Sequence, residues 1–415
     1  MVDLGSFSDT EVQRCPFPFI HSLHEQAPIY PDPRTGFHVV TRYKDIAYIS
    51  INPQLFSNQT AIVINEKNPS EDGKRVAALY EETGYNRIHT MVTNDPPSHT
   101  AYRGLVDKVF TASFVKSLEP YITDLADELI DNFCETGKID LMRDFCIRLP
   151  MYVIVDQLGL SREEWEKFKM WSDSTMALID PALPIEERLH LSTFHIEMQQ
   201  YLVSKGEEYR KAPVDKMLSN LANAQLDGRY LTPTEFVSIA EQLFVAGNET
   251  TTSAIGHAVR LLIRNPDVYA RLRENPAKVG AFTEEVLRLH APSPHLYREV
   301  KEDTEIDGYA LPKGSIVMLS YLAGNYDPSF YECPEKIDLD RKGIRNHLAF
   351  GRGIHYCLGN LLARAELKLG MDKLIQRLPN MRFDPDYPEP SFAPIFHVHT
   401  LDSMHILFDP TPRRA

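Results

Sequence analysis

The chain has 415 residues, 43% of them hydrophobic, enough to bury a large core in one large domain or in roughly two or three of the usual ~150-residue size. Its 44 basic residues against 58 acidic ones give a formal charge of −14 with no dense Lys/Arg block, which argues against nucleic acid or an anionic membrane surface as partner. The five cysteines, Cys15, Cys134, Cys146, Cys333 and Cys357, contain no CxxC pair, so they read as reduced thiols rather than a disulfide framework or a zinc site.

The opening residues MVDLGSFSDTEVQRCPFPF lack a basic stretch followed by an apolar run, and no run of ~18 apolar residues occurs anywhere; a soluble cytoplasmic protein is expected. No repeat or Gly/Ser linker divides the chain, and 29 prolines are scattered between helical segments, so residues 1–415 read as one continuous domain. GFHVVTRY (36–43) has the aromatic and β-branched character of a strand. The polar stretch NEKNPSEDGKRVAALYEETGYN (65–86) is expected to form a mobile lid. In SLEPYITDLADELIDNF, Leu118, Ile122, Leu125, Leu129 and Phe133 recur at three- and four-residue steps, predicting a helix packed on a core.

Thr232-Pro233-Thr234-Glu235 supplies an N-cap, a proline at the first helical position and a glutamate three residues after the cap. The helix it starts should run to about Asn265, before Pro266, giving a rod of ~48 Å that crosses the domain. Further on, TEIDGYALPKGSIVMLS (304–320) reads as strands with turns at Gly308 and at Pro312-Lys313-Gly314. The fold class is therefore mainly α with a minor β portion.

Inside the rod lies Ala246-Gly247-Asn248-Glu249-Thr250-Thr251, and a mid-helix glycine costs ~1 kcal/mol relative to alanine. Gly247 removes a side chain so that another group can approach, while the Thr250 hydroxyl can compete for the Ala246 carbonyl and locally open the helix. Two readings stand: a helix-crossing contact beside a solvated Glu249, or a proton-delivery site next to a bound cofactor.

FGRGIHYCLG (350–359) places Cys357 ahead of the helical segment GNLLARAELKLGMDKLIQRL, which stops before Pro379. Unpaired N–H groups and the dipole at that helix start favour a thiolate, and Gly351, Gly353 and Gly359 let backbone amides approach it. One cysteine cannot build a zinc site, but a solitary thiolate can ligate haem iron axially.

Phe350-Gly351-x-Gly353-x-His355-x-Cys357-x-Gly359 resembles the haem-binding loop of the cytochrome P-450 family. Three more segments match that family in the same order: Asp95-Pro96-Pro97-x-His99-x-x-x-Arg103, Ala246-Gly247-x-Glu249-Thr250-Thr251 and Glu285-x-x-Arg288. The resemblance implies the P-450 fold, with the long helix over a haem b (iron protoporphyrin IX) and the cysteine loop beneath it. By the same resemblance Cys357 ligates iron; Ala246, Gly247, Phe350, Gly351 and Gly359 line the cofactor; and His99, Arg103, Arg298 and His355 hold its propionates, arginine being suited by its planar fork. Glu285 and Arg288 look like the family's buried ion pair, with Lys336 where a third cation normally joins; His347 stays structural.

The activity implied is hydroxylation of a hydrophobic small molecule by O₂ and two externally supplied electrons, with Glu249 and Thr250 relaying protons. Haem-thiolate peroxygenases lack the acid–alcohol pair and the nitric-oxide-reducing branch typically lacks the acid; these, and a non-catalytic haem sensor, are the alternatives. No flavin or iron–sulfur motif is present, so a ferredoxin or flavodoxin with its reductase is the expected donor to a monomer. Arg103, Lys108, Arg352 and Arg364 could steer it. The family's pocket positions fall on Ile62, Val63 and Ile64, then Gln242, Val245 and Ala246, then Pro294, His295 and Leu296, and finally Phe396; Gln242 either orients a polar substituent or makes a helix–helix hydrogen bond. Tyr326 and the segment HTLDSMHI depart from the family pattern.

Overall fold

The capping signal at Thr232 does what its spacing predicts. In a computed structural model, which describes residues 4–60, 70–107, 109–180 and 183–414, the Glu235 amide donates to Thr232 Oγ1 (3.2 Å) and the Thr232 amide to Glu235 Oε2 (2.8 Å). The helix they start spans Pro233–Arg264, 32 residues. Helices Arg148–Leu158, Ile185–Lys211, Val279–Leu289 and Asn360–Arg377 pack against it, which buries it over most of its length. Ile122, Leu125 and Leu129 of helix Ala112–Asp131 enter the same core, which continues onto Asn360–Arg377.

The β portion is peripheral. Its main sheet has the order Ile29–Pro31, His38–Val40, Ile316–Ser320, His295–Val300, Phe56–Ser57, with only the His38–Val40 and Ile316–Ser320 pair parallel. Leu296 faces Leu319 and Arg298 faces Val317 across the ladder. Because side chains alternate along a strand, Leu296 and Arg298 share one face and His295 and Tyr297 the other. A second sheet joins Arg382–Phe383, His405–Leu407 and Lys138–Asp140. Gly308 and Gly314 take φ of +76° and +81° at the turns, a region that glycine enters without steric cost.

The polar insertion differs from the expected mobile lid in its described part. Glu71–Thr83 is a helix capped by Ser70, and Tyr80 Oη lies 2.7 Å from His195 Nδ1 on helix Ile185–Lys211. The loop after it is tied down as well. Tyr85 exchanges two backbone hydrogen bonds with the Gln199 amide, Arg87 pairs with Glu241 at 2.8 Å, and the Ile88 amide donates to Ser238 Oγ. The partners come from two distant helices, which is why a local reading of a charged, loop-like sequence misses them.

Candidate functional site

The cysteine loop is shaped by its glycines. Gly351 and Gly353 have φ of +66° and +70°, and a Cβ on Gly353 would lie 2.4 Å from the Ser50 carbonyl oxygen, so no other residue fits there. The turn closes through the Cys357 amide, which donates to the Phe350 carbonyl (2.9 Å), and Cys357 precedes helix Asn360–Arg377 by two residues beyond the Gly359 cap. Burial pushes the Cys357 thiol up, against the Gly359 amide and the charges of Arg103 and Arg364, which pull it down. Burial thus opposes the thiolate that the helix start favours. Deprotonation of a coordinating thiol comes from the metal's own charge.

The long helix offers one open stripe. Across residues 235–259 only Gln242, Ala246, Gly247 and Thr250 are not buried, and three of these lie one turn apart at steps of four. Thr250 Oγ1 donates to the Ala246 carbonyl (3.1 Å), yet the helix continues unbroken through this turn. Gly247 serves a packing purpose: a Cβ there would lie 2.9 Å from Ile154 Cγ1, so the glycine admits helix Arg148–Leu158 rather than a ligand. Glu249 turns the other way. It is buried, with Oε1 3.5 Å from Lys169 Nζ on helix Trp165–Ala177, and Lys169 in turn pairs with the exposed Asp173. Burial raises the Glu249 carboxyl and Lys169 opposes it.

Between these elements lies a set of buried or half-buried cationic and imidazole groups with no paired carboxylate among the described residues. Arg298 is 2% exposed, donates to the Tyr297 carbonyl (2.7 Å) and pairs with no carboxylate among the described residues. His99 is equally buried with both ring nitrogens unpartnered, His355 Nε2 is also unpartnered, and the two rings lie 4.3 Å apart. Burial, with Arg298, His99 and Arg103 adding to it, drives His355 down to about 2. A guanidinium and orphaned donors are costly to bury without an anion, and the two propionates of a haem are a dianionic partner of the right kind. Arg103 is used differently from the sequence expectation. It donates to the carbonyls of Ile354 (3.3 Å) and Tyr356 (2.8 Å) and pairs with Asp107, so it clamps the cysteine loop.

Beneath the loop, Arg288 donates through Nε and Nη2 to both oxygens of Glu285 (2.8 and 3.0 Å), both residues being fully buried. The third cation is Arg341, whose Nε lies 3.0 Å from Glu285 Oε1; Lys336, expected there, contributes only its backbone carbonyl, to Arg288 and Arg341. The lysine side chain faces solvent because the chain reverses after Cys333, bringing Arg341 inward. The neighbouring Glu284 carries a second network missed from sequence. Burial would raise its carboxyl, but hydrogen bonds from His347 (3.0 Å) and Arg364 (2.7 Å) hold it at about 2. Arg364 is 80 positions away, so nothing local to Glu284 could have announced the pair. This also removes Arg364 from the free cations expected for partner docking, and Arg352 is bonded to Tyr43 and to the Asn346 carbonyl (3.1 Å); Lys108 lies outside the described residues.

The expected pocket residues divide. Ala246 is exposed along the open stripe, Leu296 shares the Arg298 face of its strand, and Val245 and Pro294 are buried beside them. His295 points to the opposite face, where it packs on Phe396 (4.8 Å) and Phe7 (5.6 Å), so these residues back the strand rather than line the Arg298 side. Gln242 makes a helix–loop rather than a helix–helix hydrogen bond. Its amide nitrogen donates to Thr90 Oγ1 (2.7 Å) and its oxygen accepts from the Val92 amide (3.2 Å), pinning the loop before Asp95 to the long helix. Ile62, Val63 and Ile64 lie outside the described residues.

Comparison with known proteins agrees with this geometry. The sequence model described as "Cytochrome P450" matches residues 59–392. A steroid C26-monooxygenase of Mycobacterium tuberculosis is 32% identical over 396 residues, covering 94% of this chain and 99% of its own. Among solved structures, cytochrome P450 CREJ in complex with (4-ethylphenyl) dihydrogen phosphate superposes with a TM-score of 0.89 at 28% identity, covering 96% of this chain and 98% of that one. CYP109E1 from Bacillus megaterium, in complex with testosterone, gives 0.84 at 30% identity, covering 97% and 100%.

Proposed function

The chain belongs to the cytochrome P450 family and is a haem-thiolate monooxygenase acting on small organic molecules, and from that premise we propose how its own residues do the work. Cys357 is the iron ligand, and Arg298, His99 and His355 hold the propionates of a haem b, with Arg103 fixing the loop that presents the thiol. The observation that carries this reading is the group made by the buried Arg298 and His99 and the half-buried His355, with no carboxylate paired to Arg298 among the described residues. When bound, the haem supplies O₂ activation with two electrons and oxygen insertion into a C–H bond.

The protein's part is proton supply and exclusion of water. Glu249, which faces the Lys169–Asp173 pair at the surface, collects protons there and swings toward the open stripe to pass them on, and Thr250, its hydroxyl held by the Ala246 carbonyl, delivers them. Alanine at Thr250 should leave reductant consumption running while product falls and hydrogen peroxide rises; unchanged coupling of reductant to product would remove Thr250 from the relay. Cys357→His should abolish the red-shifted CO band of the ferrous protein, and retention of that band would place the ligand elsewhere.

We place the substrate among compact hydrophobic molecules. Leu296, Val245, Ala246 and Pro294 offer no charge, and Gln242 is already occupied by Thr90 and Val92. The testosterone bound to CYP109E1 and the steroid named for the mycobacterial relative fall within that class. A soluble ferredoxin or flavodoxin supplies electrons at the cysteine-loop face, where Arg345 is exposed, to a cytoplasmic monomer. No helix among the described residues is long and apolar enough to cross a membrane.

A further inference from the structure

Away from the cysteine loop, three imidazoles from separate parts of the chain meet: His257 on the long helix, His290 at the end of helix Val279–Leu289, and His399 in the C-terminal segment. All three are buried, and one ligand nitrogen from each lies within 4.8 Å of the other two. His290 Nδ1 and His399 Nε2 are 3.2 Å apart. The ring centroids are 4.7 Å apart for His257 with each neighbour and 5.4 Å for His290 with His399. No ion pair joins any of the three to a carboxylate among the described residues.

The hydrogen bonds say which nitrogens are free. His257 Nε2 lies 2.7 Å from the His399 carbonyl oxygen, and a carbonyl only accepts, so this nitrogen carries the proton. His257 Nδ1 therefore presents a lone pair, and it is buried without a partner. An imidazole that gives its one N–H to a backbone carbonyl and points its other nitrogen inward has the outer-shell arrangement of a metal-bound histidine. Two nitrogens each ~2.0–2.1 Å from a tetrahedral zinc stand ~3.3 Å apart, close to the 3.2 Å between His290 and His399. The 3.2 Å contact between His290 Nδ1 and His399 Nε2 needs a proton on one of the two, and that proton must leave or move to the other nitrogen of its ring when a metal enters.

We propose that His257, His290 and His399 form a binding site for a divalent transition metal of the zinc type, with three neutral nitrogen ligands and a fourth position for hydroxide. The rings now lie within 12–24° of parallel, so while His257 keeps its bond to the His399 carbonyl, His290 and His399 turn about the Cβ–Cγ bond, a broad torsion, to bring their nitrogens to one point with His257 Nδ1. Arg260, one turn from His257, makes no ion pair with a carboxylate among the described residues, and its Nε is buried and unpartnered. Its charge disfavours a bare dication and so selects the hydroxide-bearing form. The metal would act as a clasp between the long helix, the end of helix Val279–Leu289 and the C-terminal segment, which the His399 amide already ties to the loop after that helix through the Pro292 carbonyl (2.8 Å).

The test uses holoenzyme freed of loose metal with EDTA, incubated with zinc sulfate and desalted, with zinc and iron measured together by mass spectrometry. About one zinc per haem iron is expected, with three nitrogen ligands at ~2.0–2.1 Å by zinc-edge absorption. His399→Ala and His290→Gln should each lose the zinc while keeping the thiolate CO spectrum, and His190→Ala, which removes an exposed imidazole, should keep it. Wild-type protein without zinc, equal zinc in wild type and His399→Ala, or loss of zinc in His190→Ala would each overturn the proposal. Because the absorption measurement is made on wild type, it decides the matter even where a variant fails to fold.

Discussion

Replacing Arg341 by alanine probes the buried ion-pair core where the structure and the local sequence disagree. Glu285 is fully buried and receives four donors: Arg288 Nε (2.8 Å) and Arg341 Nε (3.0 Å) on one oxygen, Arg288 Nη2 (3.0 Å) and the Asp338 amide (2.8 Å) on the other. Arg341→Ala deletes one of them and removes its bonds to the carbonyls of Glu332, Cys333 and Lys336 at 2.8, 3.3 and 3.0 Å, of which the Lys336 carbonyl keeps Arg288 as donor. A hydrogen bond to a charged group contributes ~1.5–3 kcal/mol, so a loss of ~2–3 kcal/mol is expected. Arg288→Ala removes two of the four donors and should cost more, ~3–5 kcal/mol, with loss of haem. Lys336→Ala removes an exposed side chain whose carbonyl stays in place, so it should change stability by less than ~0.5 kcal/mol. Guanidinium midpoints followed by the haem absorption band, with the haem-to-protein ratio, rank the three variants. If Lys336→Ala fell as far as Arg341→Ala, the assignment of the third cation would be wrong.

The two glycines of the site should behave differently. Gly353→Ala meets the Ser50 carbonyl at 2.4 Å from a φ of +70° and should abolish haem incorporation. Gly247→Ala presses only on Ile154 and should lower stability by ~1–3 kcal/mol while keeping the thiolate CO band. Loss of that band in Gly247→Ala without loss of stability would return Gly247 to the cofactor. The long-helix cap gives a pH dependence: hydrogen bonds from Arg229 lead in holding Glu235 at about 2, from an ordinary 4.5, against the opposing effect of burial. The unfolded chain then takes up the proton first, so the stabilisation is nearly complete above pH ~5.5, is already being lost at pH ~4.5 and goes on falling as pH drops toward 2. Glu235→Gln should be less stable at neutral pH and should flatten urea midpoints measured from pH ~6 to ~3.5; profiles parallel to wild type would refute the linkage.

What the chain alone determines is whatever depends on near neighbours. The Thr232–Glu235 capping box, the 32-residue helix after it, the turns at Gly308 and Gly314 and the loop around Cys357 each need only a few adjacent residues, and the bond from Thr250 to the Ala246 carbonyl spans one helical turn. Tertiary structure decided which of several chemically equivalent side chains meets a given partner. Arg341 rather than Lys336 reaches Glu285, Ile154 rather than a ligand fills the space at Gly247, Gln242 is spent on Thr90 and Val92, and the pleat sends His295 away from Arg298. The same packing brings His257, His290 and His399 together from positions up to 142 residues apart. Local propensity acts over one or two turns, whereas a buried charge or lone pair is satisfied by whichever group the packed core carries to it, and that distance in space has no counterpart along the chain.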